Sequence, residues 1–311
     1  MTKPAVLLVS HLPEPLGRLL HERFDCHVLT QLDTTGLMAL APQLRGMVAT
    51  GESVVSRALM SSLPALEVIA VLGVGYDGID MAAARERGIC VTHTPGLSTE
   101  DIADFALALL LAAARQVVSA DKFVRRGAWP SGRYGMTRRV YGARLGIVGL
   151  GRIGRAVATR ALAFGMDISY TGRTPKSDVA YRWCADARTL AAGVDFLVVC
   201  ASGGAATRGL INRDVLAALG PAGVLINVGR GSIVDEEALL EALQERHILA
   251  AGLDVFCHEP HIAQGLLALE NVVLTPHIAS MTGATVQAMQ DLTFANLTAH
   301  FDGLPVPTPV V

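Results

Sequence analysis

Short apolar runs alternate along the chain with stretches in which apolar residues recur at helical spacing. Strand candidates in the first third are residues 5–9, 47–50, 68–72 and 89–92, with helical stretches such as 15–24 and 81–87 between them. Six further strand candidates follow at residues 145–148, 167–170, 196–200, 224–228, 250–253 and 272–274. Continuous apolar strands separated by helices are typical of parallel sheets that are covered on both faces. The pattern predicts an α/β fold with two doubly wound parallel sheets.

The longest helical pattern suggests where one domain ends and the next begins. It covers residues 99–126, and Glu100 and Asp101 in its first turn favour the positive end of a helix. A helix of this length is able to bridge two domains, and a later helical pattern at 287–300 is expected to return to the first. We therefore predict a discontinuous first domain, residues 1–98 plus 286–311, and a second domain of residues 99–285.

Composition excludes several classes of protein. The 311 residues are 51% hydrophobic, and 26 Lys and Arg nearly balance 28 Asp and Glu. An apolar chain of this kind is neither disordered nor fibrous, and it lacks the basic excess of a general nucleic-acid binder. Five cysteines without a C-x-x-C pair indicate a reducing compartment, and the apolar stretch 105–114 is shorter than a bilayer span. We expect a soluble cytoplasmic protein without nucleic-acid or membrane partners.

A glycine-rich loop points to a nucleotide. Gly149, Gly151 and Gly154 form a G-x-G-x-x-G pattern that follows a predicted strand and opens a helix. In such loops the first glycine allows a tight turn, the second lets the backbone approach a pyrophosphate, and the third lets helix and strand pack closely. The N-terminus of the helix, at Arg152 and Ile153, then presents unpaired N–H groups to the phosphates. We predict dinucleotide binding here, the alternative being a purely structural turn.

The turn after the next strand bears on which dinucleotide binds. An NAD site normally has Asp or Glu at this position, where the chain reads Gly172, followed by Arg173, Thr174 and Lys176. Without a carboxylate a 2′-phosphate is not repelled, and these side chains are able to bind it. We predict NADP as the cofactor rather than NAD. The alternative is a solvated basic turn.

Three polar residues follow separate predicted strands. Arg230 comes after strand 224–228, Glu259 after strand 250–253, and His277 after strand 272–274. Ligands of open α/β sheets collect beyond the carboxyl ends of strands, so we expect these side chains to converge. Reduction of a 2-oxo acid requires three groups of this kind. The histidine gives a proton, the glutamate orients the histidine, and the guanidinium binds the carboxylate of the substrate. The alternatives are a packing histidine and a surface ion pair between Arg230 and Glu259.

A metal site is not expected. His258 and His261 are close in sequence, but Pro260 prevents the helical spacing that an H-E-x-x-H zinc site requires. Cys200 and Cys257 have no evident base partner, so we interpret them as structural thiols.

Five segments carry a resemblance to a known family. They are residues 73–80, the glycine loop, residues 227–235, residues 252–260 and residues 275–280. Over essentially its whole length the chain resembles the D-isomer-specific 2-hydroxyacid dehydrogenases, most of all the glyoxylate/hydroxypyruvate reductases and the plant hydroxyphenylpyruvate type. The segment from Tyr170 to Arg173 is similar to that of NADP-preferring members. The resemblance implies two Rossmann-like domains, an active site in the cleft between them, and a homodimer.

The resemblance also implies roles for individual residues. Arg230 corresponds to the substrate arginine, Glu259 to the partner of the histidine, and His277 to the acid/base. Backbone N–H groups near Val74 and Gly75 correspond to those that receive the substrate carboxylate.

Other positions are assigned in the same way. Asp254 is expected to face the nicotinamide carboxamide, His277 and Ser280 to contact the cofactor, and Tyr134 to reach the substrate pocket of a neighbouring subunit. The segment 201–205, Ala-Ser-Gly-Gly-Ala, departs from the Pro-Leu-Thr type of loop that is usual in the family.

The favoured function is NADPH-dependent reduction of a small 2-oxo acid to the D-2-hydroxy acid, with His277 as proton donor. Which 2-oxo acid is preferred, and in which direction the reaction runs, stay open. The alternative from another class is a nucleotide-sensing interaction protein similar to the C-terminal-binding-protein corepressors. A third alternative is an enzyme of the same fold that acts on formate or phosphite.

Overall fold

The computed structural model describes residues 3–310 and divides into two compact units, each built on one parallel sheet. The first unit contains the described residues up to Ser98 together with those from Thr282 onward, and the second is Thr99–Met281. The sequence placed the return to the first unit at residue 286, whereas the division falls at Thr282. The hydroxyl of Thr282 caps the helix that follows it, so this helix belongs from its first residue to the first unit.

The first unit is a five-stranded sheet between helices. Its elements before the division are β1 (Ala5–Leu8), α1 (Glu14–Arg23), β2 (Asp25–Val28), α2 (Thr34–Leu40), β3 (Leu44–Thr50), α3 (Arg57–Ser61), β4 (Val68–Leu72), α4 (Met81–Glu86) and β5 (Cys90–Thr92). The strands run parallel in the order β2-β1-β3-β4-β5. This is the flavodoxin-like order of a doubly wound sheet. The central strands are almost wholly apolar because both of their faces are covered by helices.

The second unit carries a larger sheet. Its elements are α5 (Thr99–Ala114), α6 (Val117–Arg125), β6 (Arg144–Val148), α7 (Arg152–Ala163), β7 (Asp167–Thr171), β8 (Arg182–Cys184), α8 (Ala187–Ala191), β9 (Phe196–Val199), α9 (Arg213–Leu219), β10 (Val224–Asn227), α10 (Glu236–Gln244), β11 (Ala250–Leu253), α11 (Gln264–Leu267) and β12 (Val272–Leu274). Seven parallel strands lie in the order β12-β11-β10-β9-β6-β7-β8. The strand order reverses between β6 and β9, which is where such sheets bind their ligands.

The last helix, α12 (Gly283–Phe301), returns to the first unit. It packs on the first sheet, where Leu297 is fully buried and the rings of Phe294 and Phe301 contact Phe24 of the segment after α1. The predicted architecture of two doubly wound parallel sheets is confirmed.

The single helix expected over residues 99–126 is wrong. The chain forms α5 and α6, which meet at an angle of 58°. Between them Gln116 has a φ of 51°, in the left-handed region, and a residue in that conformation cannot continue a right-handed helix. Among the described residues, no single helix is long and apolar enough to cross a membrane, and only the bent pair α5 and α6 meets that criterion when joined.

Candidate active site

Three loops that follow β10, β11 and β12 carry the polar residues singled out in the sequence. The structure brings Glu259 and His277 into direct contact, with 2.7 Å between the Glu259 Oε2 and the His277 Nδ1. Arg230 lies near enough for its positive charge to lower the pKa of Glu259. The expected contact between Glu259 and His277 is therefore seen within the second unit, with Arg230 close enough to act on Glu259 through its charge.

Opposing effects set the charge state of Glu259. Burial raises the pKa of this carboxyl, whereas the hydrogen bonds from His277 and from the Phe256 N–H, together with the charge of Arg230, lower it. The net result is a pKa below the ordinary value of 4.5. Glu259 is thus an ionised acceptor at neutral pH, and the Nδ1 atom of His277 carries the shared hydrogen. The ring orientation is fixed by this bond.

The backbone of His277 adopts an unusual conformation that the buried Asp254 holds in place. The φ of His277 is 54°, which few non-glycine residues adopt, and its N–H donates to the Asp254 carbonyl at 2.9 Å. The Asp254 carboxylate is 1% exposed and accepts from the Thr275 hydroxyl (2.7 Å) and from the N–H groups of Ile278 and Ala279 (both 2.9 Å). Strained backbone of this kind persists only where its surroundings determine it fully.

This arrangement adds to what the sequence suggested for Asp254. Three of the about four acceptor positions of a carboxylate are used inside the protein. The contact with a nicotinamide carboxamide stays a prediction, and the observed contacts make Asp254 the residue that fixes the His277 segment. The signal in the sequence was an acidic residue at the end of an otherwise apolar strand.

A buried asparagine shapes the loop that carries Arg230. Asn227 is 1% exposed, donates from Nδ2 to the Arg230 carbonyl (3.0 Å) and accepts the Gly229 N–H (3.0 Å). A Cβ atom on Gly231 would lie 1.9 Å from the carbonyl carbon of Phe256, so only glycine fits there. The loop of Arg230 is therefore packed directly against the loop that leads to Glu259. Sequence reasoning missed the role of Asn227.

The glycine loop has the geometry that a dinucleotide requires. Gly149 has a φ of +94°, and a Cβ on Gly154 would lie 2.3 Å from the Gly149 carbonyl oxygen. At Gly151 the corresponding space is open, with no atom within 4 Å. Helix α7 begins at Arg152 and Ile153 without a side-chain cap, so its first N–H groups are available to phosphates. The open glycine loop and the free N–H groups at the start of α7 are therefore able to accommodate the pyrophosphate of a dinucleotide.

The unusual loop 201–205 packs tightly between two other loops. A Cβ on Gly149 would lie 2.8 Å from the backbone of Ala201, and one on Gly229 would lie 2.7 Å from the Ala201 carbonyl oxygen. Glycines at these two positions therefore allow the Ala201 backbone to lie between the nucleotide loop and the loop of Arg230.

The turn after β7 is exposed, and its backbone is held by a hydrogen bond to the buried Tyr170. Gly172, Arg173, Thr174 and Lys176 are all exposed. The Lys176 N–H donates to the hydroxyl of Tyr170 at 2.6 Å. The side chains of this turn were predicted from the sequence, but the hydrogen bond between Lys176 and Tyr170 was not.

A second contact holds the other end of the turn. The indole N–H of Trp183 donates to the Gly172 carbonyl at 3.3 Å. Asp178, the next acidic residue along the chain, is paired with Arg155 at 2.9 Å.

The remaining predicted site residues lie apart from this group in the chain. Val74 and Gly75 are in the first unit, in the partly exposed loop that follows β4. Tyr134 donates its hydroxyl hydrogen to the Gln116 side chain of its own chain at 3.0 Å, and its ring packs edge-on against Phe123. Ser280 follows the segment held by Asp254 and is partly buried.

Comparison with known proteins gives a consistent result. Residues 107–279 match the family description "D-isomer specific 2-hydroxyacid dehydrogenase, NAD binding domain". The hydroxyphenylpyruvate reductase of Plectranthus scutellarioides is 44% identical over 308 residues, covering 98% of each chain. The 2-ketogluconate reductase of Gluconobacter oxydans is 41% identical over 310 residues, covering 100% of this chain and 99% of the relative.

A solved structure agrees with these relatives. The NADPH-dependent glyoxylate/hydroxypyruvate reductase of Sinorhizobium meliloti, in complex with NADP and malonate, superimposes with a TM-score of 0.94 at 40% identity. The match covers 100% of this chain and 97% of that one.

Proposed function

Because the chain belongs to the D-isomer specific 2-hydroxyacid dehydrogenase family, we propose that it reduces a small 2-oxo acid, such as glyoxylate or hydroxypyruvate, to the D-2-hydroxy acid with NADPH. It is an oxidoreductase whose second unit contains an NAD(P)-binding domain. The observation that carries the proposed chemistry is the 2.7 Å contact between Glu259 and His277, a pair on which the charge of Arg230 also acts. A nucleotide-sensing function does not require this acid/base pair, and the relatives are named as reductases.

Each of the three residues has a distinct part in the proposed mechanism. His277 delivers a proton from Nε2 to the carbonyl oxygen of the substrate, since its Nδ1 is bonded to Glu259. Glu259 orients the ring and compensates its positive charge while the ring is protonated. Arg230 binds the substrate carboxylate and polarises the carbonyl through its planar guanidinium group. The bound nicotinamide cofactor supplies the hydride.

The substrate carboxylate also needs hydrogen-bond donors. In the proposed mechanism the backbone N–H groups of Val74 and Gly75 bind it. Asp254 maintains the His277 segment through three hydrogen bonds, so the acid/base residue is placed before substrate binds. Asp254, His277 and Ser280 are the residues of this segment expected to contact the cofactor.

The preference for NADPH rests on the turn after β7. It presents Arg173 and Lys176 to solvent and has no acidic side chain at Gly172. Charge-assisted hydrogen bonds contribute about 1.5–3 kcal/mol each, and about 1.4 kcal/mol changes an equilibrium tenfold. We expect kcat/KM for NADPH to exceed that for NADH at least about tenfold.

Two further features complete the proposal. The protein forms a homodimer, which is supported by the exposed apolar side chains on and after α6. It works in the cytoplasm, which is supported by five cysteines that are all free.

A substrate panel tests the function. Purified protein is assayed with glyoxylate, hydroxypyruvate, hydroxyphenylpyruvate and 2-ketogluconate, each with NADPH and with NADH at low ionic strength. Turnover of at least one 2-oxo acid supports the proposal, and none with any of them contradicts it. Replacing Gly172→Asp and Arg173→Ala together abolishes or reverses the preference for NADPH. Equal use of both cofactors by the wild type contradicts our interpretation of this turn.

A further inference from the structure

The loop after β4 has two backbone N–H groups without an acceptor. Among residues 3–310, no hydrogen-bond partner lies within reach of the N–H of Val74 or of Gly75, although the loop is partly buried. Buried backbone N–H groups are normally paired in folded proteins, either with protein groups or with ordered water. Two neighbouring unpaired donors therefore form a suitable site for an anion such as a carboxylate.

The carbonyl groups of the same peptides are fixed on the opposite side. The Gly73 carbonyl accepts the Thr94 N–H at 2.9 Å, and the Val74 carbonyl accepts a hydrogen bond from the His93 ring at 3.0 Å. A carbonyl only accepts, so the His93 Nδ1 is the donor. In a trans peptide the C=O and the following N–H point in opposite directions. Anchoring the Val74 carbonyl on His93 therefore turns the Gly75 N–H away from β5.

His93 is itself held firmly by the C-terminal segment of the first unit. Its N–H donates to the Thr308 carbonyl at 3.3 Å, and its carbonyl accepts from the hydroxyl of Thr308 and from the Asn296 side chain. The ring of Tyr76 packs edge-on against the His93 ring, with 5.4 Å between their centres. These contacts fix the backbone of His93 and restrict the orientation of its imidazole ring.

We infer that His93 is a positioning residue that aims the Gly75 N–H at the carboxylate of the substrate. It acts through the Val74–Gly75 peptide and not by touching the reacting atoms. This inference rests on the proposed function, because a 2-oxo acid is what supplies the carboxylate. It assigns a structural purpose to the C-terminal return, which holds the backbone of His93 through Asn296 and Thr308.

Two substitutions separate the hydrogen bond from the packing of the ring. His93→Phe keeps an aromatic ring beside Tyr76 but removes the donor. His93→Asn loses the ring but carries an N–H donor at the same number of bonds from Cα as Nδ1. The exposed His11, replaced by Phe in the same unit, is the matched control.

Two measurements are made on each variant. Steady-state kinetics with hydroxypyruvate and NADPH give KM and kcat, and calorimetry gives the affinity of the NADP-loaded protein for malonate. We expect His93→Phe to raise KM and weaken malonate binding about tenfold, with kcat and the Kd for NADPH unchanged. His93→Asn should recover most of this loss, and His11→Phe should equal the wild type.

The other outcomes contradict the inference. An unchanged KM in His93→Phe means that the hydrogen bond does not position the loop. Equal loss in both variants means that the donor restored in His93→Asn recovers nothing, so the hydrogen bond to Val74 is not what lowers KM. A parallel fall of kcat and melting temperature means a purely structural role. One outcome separates the two proposals: if the wild type reduces no 2-oxo acid but binds malonate in a His93-dependent way, the proposed function fails, and only the role of His93 in aiming the Gly75 N–H at a carboxylate stands. A wild type that neither reduces a 2-oxo acid nor binds malonate overturns both the proposed function and the inference.

Discussion

At the scale of single residues, the contact between His277 and Glu259 leads to a clear prediction. General acid catalysis contributes about 10²–10⁴-fold to a rate, so His277→Ala should lower kcat by that factor. The Kd for NADPH, measured by fluorescence titration, should stay near the wild-type value because the glycine loop is untouched. The exposed His247, replaced by Ala, serves as the control. A variant that keeps more than about a third of wild-type turnover would show that His277 is not the proton donor.

Glu259 gives a prediction about pH and stability. The pKa of Glu259 is lowered from 4.5 in the folded chain, so the folded state binds the proton less readily than the unfolded state. The ionised carboxylate therefore stabilises the fold above pH 4.5, and this contribution is lost as the pH falls through the lower folded pKa. The melting temperature of the wild type should drop more than that of Glu259→Gln between about pH 5 and about pH 3.

The matching control is Glu270→Gln, since Glu270 is exposed on the same unit. Its melting temperature should follow that of the wild type at every pH. Parallel curves for the wild type and Glu259→Gln would contradict the prediction, because they would mean that Glu259 titrates alike in the folded and unfolded chains.

The residue scale also shows what a sequence reveals of a site and what it conceals. Arg230, Glu259 and His277 were found because each follows an apolar strand, where the topology collects ligands. Asn227 and Asp254 were harder to interpret, because their function lies in hydrogen bonds to backbone groups that only the folded loops bring near. Side-chain chemistry is visible in a sequence, whereas the support of a strained backbone is not.

At the scale of elements, two strands were missed for one physical reason. β2 and β8 are the edge strands of their sheets on one side, and both contain polar or charged residues such as Asp25 and Arg182. These polar side chains interrupt the continuous apolar run by which the other strands were identified, including the opposite edge strands β5 and β12. The break between α5 and α6 was missed because Gln116 is not a residue type that favours the left-handed region.

The turn after β7 carries a prediction at this scale. Tyr170 is 1% exposed and its hydroxyl accepts the Lys176 N–H at 2.6 Å, which fixes the backbone between Gly172 and Lys176. Tyr170→Phe leaves the ring in the core but removes the acceptor. Because a net hydrogen bond contributes about 0.5–1.5 kcal/mol, we expect the preference for NADPH over NADH to fall about two- to tenfold.

The readout that isolates this effect is the pair of Kd values for NADPH and NADH. The NADH value should be unchanged, since a cofactor without a 2′-phosphate does not use the turn in this way. Tyr181→Phe, at a partly buried position that precedes β8, is the control. An equal change in both Kd values would indicate general damage to the domain and count against this role for Tyr170.

At the scale of the whole molecule, the two doubly wound sheets were predictable because apolar strands of parallel sheets are easily seen in a sequence. The strand orders were not, since nothing in a strand says which neighbour it pairs with. The boundary at which the chain returns to the first unit was also misplaced. It is set by the hydrogen bond with which Thr282 caps α12, and the hydrophobic pattern does not contain that information.

The surface of the second unit leads to the last prediction. Helix α6 has no buried residue, although it includes Val117, Val118, Phe123 and Val124. Beyond it, Trp129 is 64% exposed. Aromatic and aliphatic side chains in one stretch of exposed surface are typical of an interface between subunits. We therefore expect light scattering to give a mass of about twice 32.7 kDa at micromolar concentration.

Charge placed on this surface should separate the subunits. Val124→Glu and Trp129→Glu, combined in one variant, bury two carboxylates if the dimer forms, and unpaired buried charge is strongly unfavourable. The variant should be a folded monomer with the circular dichroism spectrum of the wild type. Met38→Glu, at an exposed apolar position of the first unit, should remain dimeric. A monomeric wild type would remove the proposed interface. A double variant that stays dimeric would place the interface elsewhere. In either case α6 and Trp129 would face solvent in the native protein.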